Sequence, residues 1–355
     1  MQSTSGLPSF THRITNEPVY IDELYNPTWI HQEFRRRQVP NKKLIGETCK
    51  DERDEERSFM ALLKTCAKKK NTFEGARLHK DILARGLLEK SPYLGSSLIS
   101  MYAKWGMLEK AQHVLEGVPL QNIVSWNALI TGYTCHGRAQ EALDCFARMQ
   151  GMGLSPNAVT FICILKACGK IGAIEQGKHI HDEIVSMGFL EKDIILGTAL
   201  VDMYAKCGVL SKAQELLEEL PVRDIVSWSA LIAGYAQEDQ SDEALNCYEQ
   251  LQREGLLPNE ITFTCILKAC GSIGALDKGK QIHNEIIVRD LLENNIMLGS
   301  ALVDMYARCG VLNKAREVLE DLPIRDTVSW NALISGYAQE GYCDEALNSF
   351  QHMVY

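Results

Sequence analysis

Two polar positions recur around a tryptophan. Asn122, Asp224 and Asp326 stand four residues before Trp126, Trp228 and Trp330, and Asn127, Ser229 and Asn331 directly follow them. The frame between barely changes: "NIVSWNALITGYTC", "DIVSWSALIAGYAQ" and "DTVSWNALISGYAQ". A repeat that only packs has little reason to vary polar groups at two fixed places. The variation carries chemistry, because Asp only accepts hydrogen bonds, Asn donates and accepts, and Ser offers a short hydroxyl. Helix capping is the competing explanation. It accounts for Asp or Asn ahead of "VSW". It does not account for exchanging Ser and Asn inside a helix, where either is a mediocre former.

Other reactive side chains point away from catalysis. Of the twelve cysteines, Cys66, Cys168 and Cys270 share one repeat position, Cys207 and Cys309 a second, Cys163 and Cys265 a third, and Cys145 and Cys247 a fourth. Recurrence in frame beside apolar neighbours reads as small buried side chains. No C-x-x-C occurs, so a zinc ribbon or thioredoxin-like site lacks its basic unit, and free thiols in a reducing compartment are expected. His179-Ile180-His181 invites a metal reading, but His181 matches His79 and His283 in frame and no third ligand is indicated. No metal and no cofactor are expected.

Positioning these residues falls to a long repeat. Trp126, Trp228 and Trp330 are 102 residues apart, as are Cys66, Cys168 and Cys270, and the frame runs unbroken from Glu56. Turn signals divide each unit into parts of 35, 36 and 31 residues: 123–157, 158–193 and 194–224, then 225–259, 260–295 and 296–326, with 56–91 and 92–122 upstream and an incomplete 327–355 at the end. Each part reads as two helices. Val124, Leu129, Ile130 and Tyr133 follow helical spacing and Gly137 stops them; Ala142, Leu143, Phe146 and Met149 form the second stripe. Short helices like these are marginal alone and must share a core, so the spacing predicts an all-α solenoid. With 355 residues, 46% of them hydrophobic, the chain has ample core material. No apolar run reaches the roughly 18 residues of a membrane span, and no membrane partner is expected.

The frames "VSWNALI-GY----G---EAL--F--M---G--PN", "TF--ILKACG-IGA---GK-IH" and "G-ALVDMYA-CG-L-KA" resemble the pentatricopeptide repeat family. More narrowly, they are similar to its plant class with alternating P-type, L-type and S-type motifs. The resemblance covers Glu56 to Tyr355. The tetratricopeptide repeat, a protein-binding scaffold, is the nearest rival; the 35-residue unit shares its Trp126, Leu129, Tyr133, Ala142 and Phe146 pattern, but that family keeps one 34-residue period.

What the resemblance implies is specific. The solenoid is expected to wind into a right-handed superhelix. Such proteins bind single-stranded organellar RNA, one base per repeat, and most specify sites of C-to-U editing. The base is read by the fifth and last residues of a motif, and second-position residues sandwich it. The implied readers are Ser96 with Asn122, Asn127 with Asn157, Thr198 with Asp224, Ser229 with Asn259, Thr264 with Asn295, Ser300 with Asp326, and Asn331. The implied clamps are Val124, Ile195, Val226, Met297 and Val328. Uracil and guanine present a ring N–H, which suits Asp; adenine and cytosine present a ring acceptor, to which Asn donates. A short hydroxyl at the fifth position leaves room for a purine. The series becomes A-C-n-G-A-n-G-Y, with Ile162 and Asp193 leaving one slot neutral, and the pair Met60 and Ser91 adding one unread base before it. The tryptophans occupy packing positions and are expected in the core.

The net charge of -9 argues mildly against nucleic acid, but the acids crowd the second helices. The first helices, which line the concave face in this family, carry Lys64, Lys166, Lys268, Lys206 and Arg308 and few acids. H-x-E triplets such as His181-Asp182-Glu183 occur, but the editing deaminase's P-C-x-x-C is missing, as is the family's C-terminal extension. The expectation is a non-enzymatic binder, with the deaminase or another editing partner acting in trans or lost by truncation inside the last motif. A transcript-stabilising or processing role is the alternative. Residues 1–55, with "EFRRRQVPNKK" and "CKDERDEER", read as a disordered or partly helical leader, or a targeting region. Glu17, Asp22 and Glu23 make a poor transit peptide, although the resemblance implies a mitochondrion or chloroplast.

Overall fold

The computed structural model describes residues 48–354, apart from 191, 192 and 294. Among them are nineteen helices and no strand. The opening repeat comprises α1 (Thr48–Lys69), α2 (Thr72–Ala84) and the short α3 (Leu87–Lys90). Helix pairs follow: α4 (Pro92–Lys104) with α5 (Leu108–Gly117), α6 (Ile123–Cys135) with α7 (Ala139–Gly151), and α8 (Ala158–Ile171) with α9 (Ile174–Ser186). Next come α10 (Ile194–Lys206) with α11 (Leu210–Glu219), α12 (Ile225–Gln237) with α13 (Ser241–Arg253), and α14 (Glu260–Ile273) with α15 (Leu276–Val288). The last are α16 (Ile296–Arg308) with α17 (Leu312–Asp321), and α18 (Thr327–Gln339) with α19 (Cys343–Val354).

The first helix begins at Thr48, ahead of the start expected at Glu56. The acidic run explains the extension. Glu55 and Glu56 are held by Arg85 and by the Ser91 hydroxyl of the neighbouring elements. The rest of the expected leader, 1–47, lies outside the described residues.

The first helices of successive pairs pack on one another: α4 on α6, α6 on α8, α8 on α10, and so on to α18. Second helices pack instead on the first helices before and after them. Two rows of unequal spacing result, and the closely packed row of first helices forms the inner side. Small residues permit that approach. A Cβ on Gly132 would lie 2.7 Å from the Ala103 Cβ and 3.3 Å from the Ala103 Cα. Backbone rather than a flexible tip must yield there, so Gly132→Ala is expected to destabilise by about 1–3 kcal/mol despite its better helix propensity. Urea unfolding checks it. An unchanged or raised midpoint would show that α4 and α6 can separate freely.

The core is one continuous stripe in which Trp126 and Trp228 are buried and Trp330 is partly buried. Both tryptophan rings nearest the centre therefore serve packing and leave the inner surface to smaller side chains. The recurring histidines lie within the same stripe. His79, His181 and His283 each share a hydrogen bond of 2.9–3.0 Å with Tyr102, Tyr204 and Tyr306. Burial lowers all three pKa values, that of His79 to about 4 with help from nearby Lys110. A histidine depressed in the folded state binds its proton more readily when unfolded. Its contribution is therefore complete above the unfolded value near 6.5 and is lost as pH falls from there toward the folded value. His79 alone accounts for about 3 kcal/mol once the pH is below both values. The thermal midpoint should drop between pH 7 and 4, and His79→Gln should flatten that drop. An identical profile for the variant would remove His79 from the account.

Candidate nucleic-acid interface

Exposure separates the second-position side chains from the core. The second residue of the first helix is large, apolar and exposed in unit after unit. Val124, Ile195, Val226, Met297 and Val328 range from 55% to 72% exposed. They are not core residues. Tyr93, Val159 and Ile261 extend the row and are likewise exposed; their common offset from the helix start was available in the sequence. Apolar side chains set out singly at each unit are suited to flank a flat ring.

The fifth residues stand one turn further on and are mostly buried: Ser96, Asn127, Thr198, Ser229 and Ser300. Thr264 is half-buried and its hydroxyl donates to the Glu260 carbonyl at 2.8 Å. Asn331 is exposed. The last residue of each unit caps the next first helix. Asn122, Asn157, Asp224, Asn259, Asn295 and Asp326 each accept from a backbone N–H of the first turn through Oδ1, at 2.8–3.1 Å.

Fifth and last residues meet in three pairs. Asn127 Nδ2 donates to Asn157 Oδ1 at 3.0 Å, the Ser229 hydroxyl reaches Asn259 Oδ1 at 3.4 Å, and the Ser300 hydroxyl donates to Asp326 Oδ1 at 2.9 Å. Ser96 with Asn122, Thr198 with Asp224, and Thr264 with Asn295 form no such bond among the described residues. The Thr198 hydroxyl is buried with no hydrogen-bond partner. Burial works to raise the Asp326 carboxyl pKa, but the Ser329 N–H and hydroxyl and the Ser300 hydroxyl outweigh it and hold the group below its usual range.

The cap determines what each last residue presents. A helix N–H can only be met by an acceptor, so capping commits Oδ1 and fixes which way the amide faces. The second atom is left over. In Asn122, Asn157 and Asn259 it is Nδ2, a donor; in Asp224 and Asp326 it is Oδ2, an acceptor. None of these atoms has a partner among the described residues. Capping thus occupies one edge of each side chain and leaves the other edge open.

Clefts join these groups. One of about 440 Å³ is lined by Ser96, Lys104, Val124, Asn127 and Val159. Another of about 710 Å³ is lined by Met297, Ser300, Asp326, Val328 and Asn331, together with Asp304 and Arg308. Each places polar side chains between two successive exposed apolar ones. The charge of the row is more mixed than the sequence suggests. Lys206 pairs with Asp202 at 2.6 Å and Arg308 with Asp304 at 2.9 Å, each within its own helix.

No group of three or more His, Cys, Asp or Glu is placed to hold a metal ion among the described residues. His179 is exposed while His181 turns inward to Tyr204, so the pair does not converge. Cysteines 66, 145, 163, 168, 247 and 270 are buried. Burial pushes the Cys168 and Cys247 thiols up to about 12, which keeps them protonated and poorly nucleophilic. No described helix is long and apolar enough to cross a membrane.

Comparison with known proteins agrees with this geometry. The pattern of the PPR repeat family matches residues 121–170 and 223–272, and that of the PPR repeat matches 96–118, 198–225 and 328–355. A chloroplastic pentatricopeptide repeat-containing protein of Arabidopsis thaliana is 36% identical over 82% of this chain and 47% of its own length. A mitochondrial one from the same plant is 36% identical over 78% of this chain and 50% of its own. The chain spans about half the length of the curated relatives it matches. Among solved structures, the pentatricopeptide repeat protein PPR10 in complex with an 18-nt psaJ RNA element superposes with a TM-score of 0.70, at 17% identity, over 93% of this chain and 48% of that one. At that identity the likeness shows the fold.

Proposed function

Because the chain is a pentatricopeptide repeat protein of plant type, we propose that its inner groove binds single-stranded RNA in an organelle, one base per repeat. The observation that carries the reading is the split use of each last residue, with Oδ1 on the helix and the other edge unpaired. Nδ2 of Asn122 and Asn259 suits adenine, Oδ2 of Asp224 and Asp326 suits guanine, and the longer Asn127 with Asn157 suits a pyrimidine. The second-position row, from Tyr93 to Val328, flanks the bases. The target becomes A-C-n-G-A-n-G-Y. The PPR10 complex is of the same fold and holds RNA, and relatives carry chloroplastic or mitochondrial names.

The P-type, L-type and S-type alternation supports a finer role: specifying sites of C-to-U RNA modification, with a deaminase acting in trans. The array itself recognises and does not cleave or deaminate. Filter binding tests the core of this reading. Single-stranded RNA should bind more tightly than duplex RNA, with log K falling against log salt by about 0.7 for each phosphate neutralised. Lys206 and Arg308 are already paired, so the slope should be shallower than the number of groove cations alone would give. Preference for duplex, or no binding to any RNA, would contradict the groove assignment.

A further inference from the structure

The three S-type first helices, α4, α10 and α16, carry the same groove cation but treat it differently. Lys104, Lys206 and Arg308 are equivalent in frame, 102 residues apart. One turn earlier stand Ser100, Asp202 and Asp304. In α10 and α16 the carboxylate takes the cation, Lys206 Nζ to Asp202 Oδ2 at 2.6 Å and Arg308 Nε to Asp304 Oδ2 at 2.9 Å. In α4 serine replaces the carboxylate, and Lys104 is exposed with no ion pair among the described residues. These groups belong to the groove: Ser100 and Lys104 line the cleft with Ser96, Val124 and Asn127, and Asp304 and Arg308 line the one with Ser300, Asp326 and Asn331.

We propose that Asp202 and Asp304 attenuate the hold of α10 and α16 on the phosphate backbone, so that among the three S-type helices Lys104 makes the strongest ionic contact. The inference rests on the RNA-binding reading above and adds to it a division of labour. A cation already paired at short range releases few RNA counterions when a phosphate arrives, because it must first exchange one anion for another. An unpaired lysine has no such competitor. The carboxylate also repels phosphate in its own right. Around α10 and α16, where Asp224 and Asp326 read bases, weak backbone attraction leaves binding to depend on the correct base. Near α4, the free Lys104 holds RNA with less regard to sequence.

The test copies nature's own substitution. Asp202→Ser and Asp304→Ser reproduce the Ser100 arrangement at half-buried positions on the helix surface and should preserve folding. Each should tighten binding of single-stranded RNA several-fold and steepen the slope of log K against log salt by about 0.7, one more phosphate contact. Lys104→Gln should weaken binding by more than Lys206→Gln does and flatten the slope by a similar amount. Asp202→Ser combined with Lys206→Gln should return the slope to that of the wild type, because the gain acts through the released lysine. If the aspartate variants leave affinity and slope unchanged while the wild type binds RNA, attenuation is wrong and base reading stands. If the double variant keeps the full gain in slope, the aspartates act by simple repulsion and the release of Lys206 is refuted. If the wild type does not bind single-stranded RNA, both readings fall.

Discussion

Val124→Asp, Val226→Asp and Val328→Asp together should reduce affinity for single-stranded RNA by more than a hundredfold and leave thermal stability within about 0.5 kcal/mol of wild type per site. The asymmetry follows from position. All three valines are more than half exposed, so the solenoid core loses nothing. Each is the second residue of its helix, where a carboxylate complements the helix dipole. Bases lose an aliphatic flank worth about 1–2 kcal/mol apiece from buried apolar area and meet a charge of the phosphates' own sign. Equilibrium binding alongside thermal unfolding separates the outcomes. Undiminished affinity in a folded variant would show that the second-position row does not face RNA.

Asp224→Asn should move discrimination at one base from guanine toward adenine by about 1–3 kcal/mol, with the other positions untouched. The cap survives, because asparagine's Oδ1 can still accept from the Ser227 N–H as the aspartate does at 2.8 Å. Only the outward atom changes, from acceptor Oδ2 to donor Nδ2. Its neighbour Thr198 is buried with an unpaired hydroxyl and no bond to Asp224, so no internal contact within the pair compensates. Competition among RNAs differing at this single base is the measurement. Asn and Asp cap comparably, so if Asp224 were a cap alone, guanine and adenine would rank identically before and after.

Much of the fold was legible because its signals are local and repeated. Glycine stops and apolar spacing marked the helices from Ile123 to Met149 in a single unit, and the 102-residue frame copied that reading along the chain. The extension of α1 to Thr48 was not legible, since its partners Arg85 and Ser91 lie about 30 residues away and only the folded chain brings them together. The groove was legible in part. Exposure of Val124 and its equivalents could not be told from burial by spacing alone, since an apolar residue at a helix start serves either. The caps are present, and because a carboxamide or carboxylate has two edges, capping leaves the second atom free for the proposed reading. Asp202 and Asp304 went unremarked in a row taken as poor in acids. Their meaning lies in an ion pair one helical turn long, which spacing permits but does not require.

One measurement bears most directly on the claim that each unit reads one base. The chain is offered A-C-N-G-A-N-G-Y RNA in competition with G-C-N-A-G-N-A-Y, which has the same composition and length and exchanges only the purines assigned to Asn122, Asp224, Asn259 and Asp326. Four mismatches at about 1–3 kcal/mol each predict a preference of at least a hundredfold for the first RNA. Equal affinity for the two would contradict the account, because a groove that holds RNA by charge and stacking alone has no means of telling them apart.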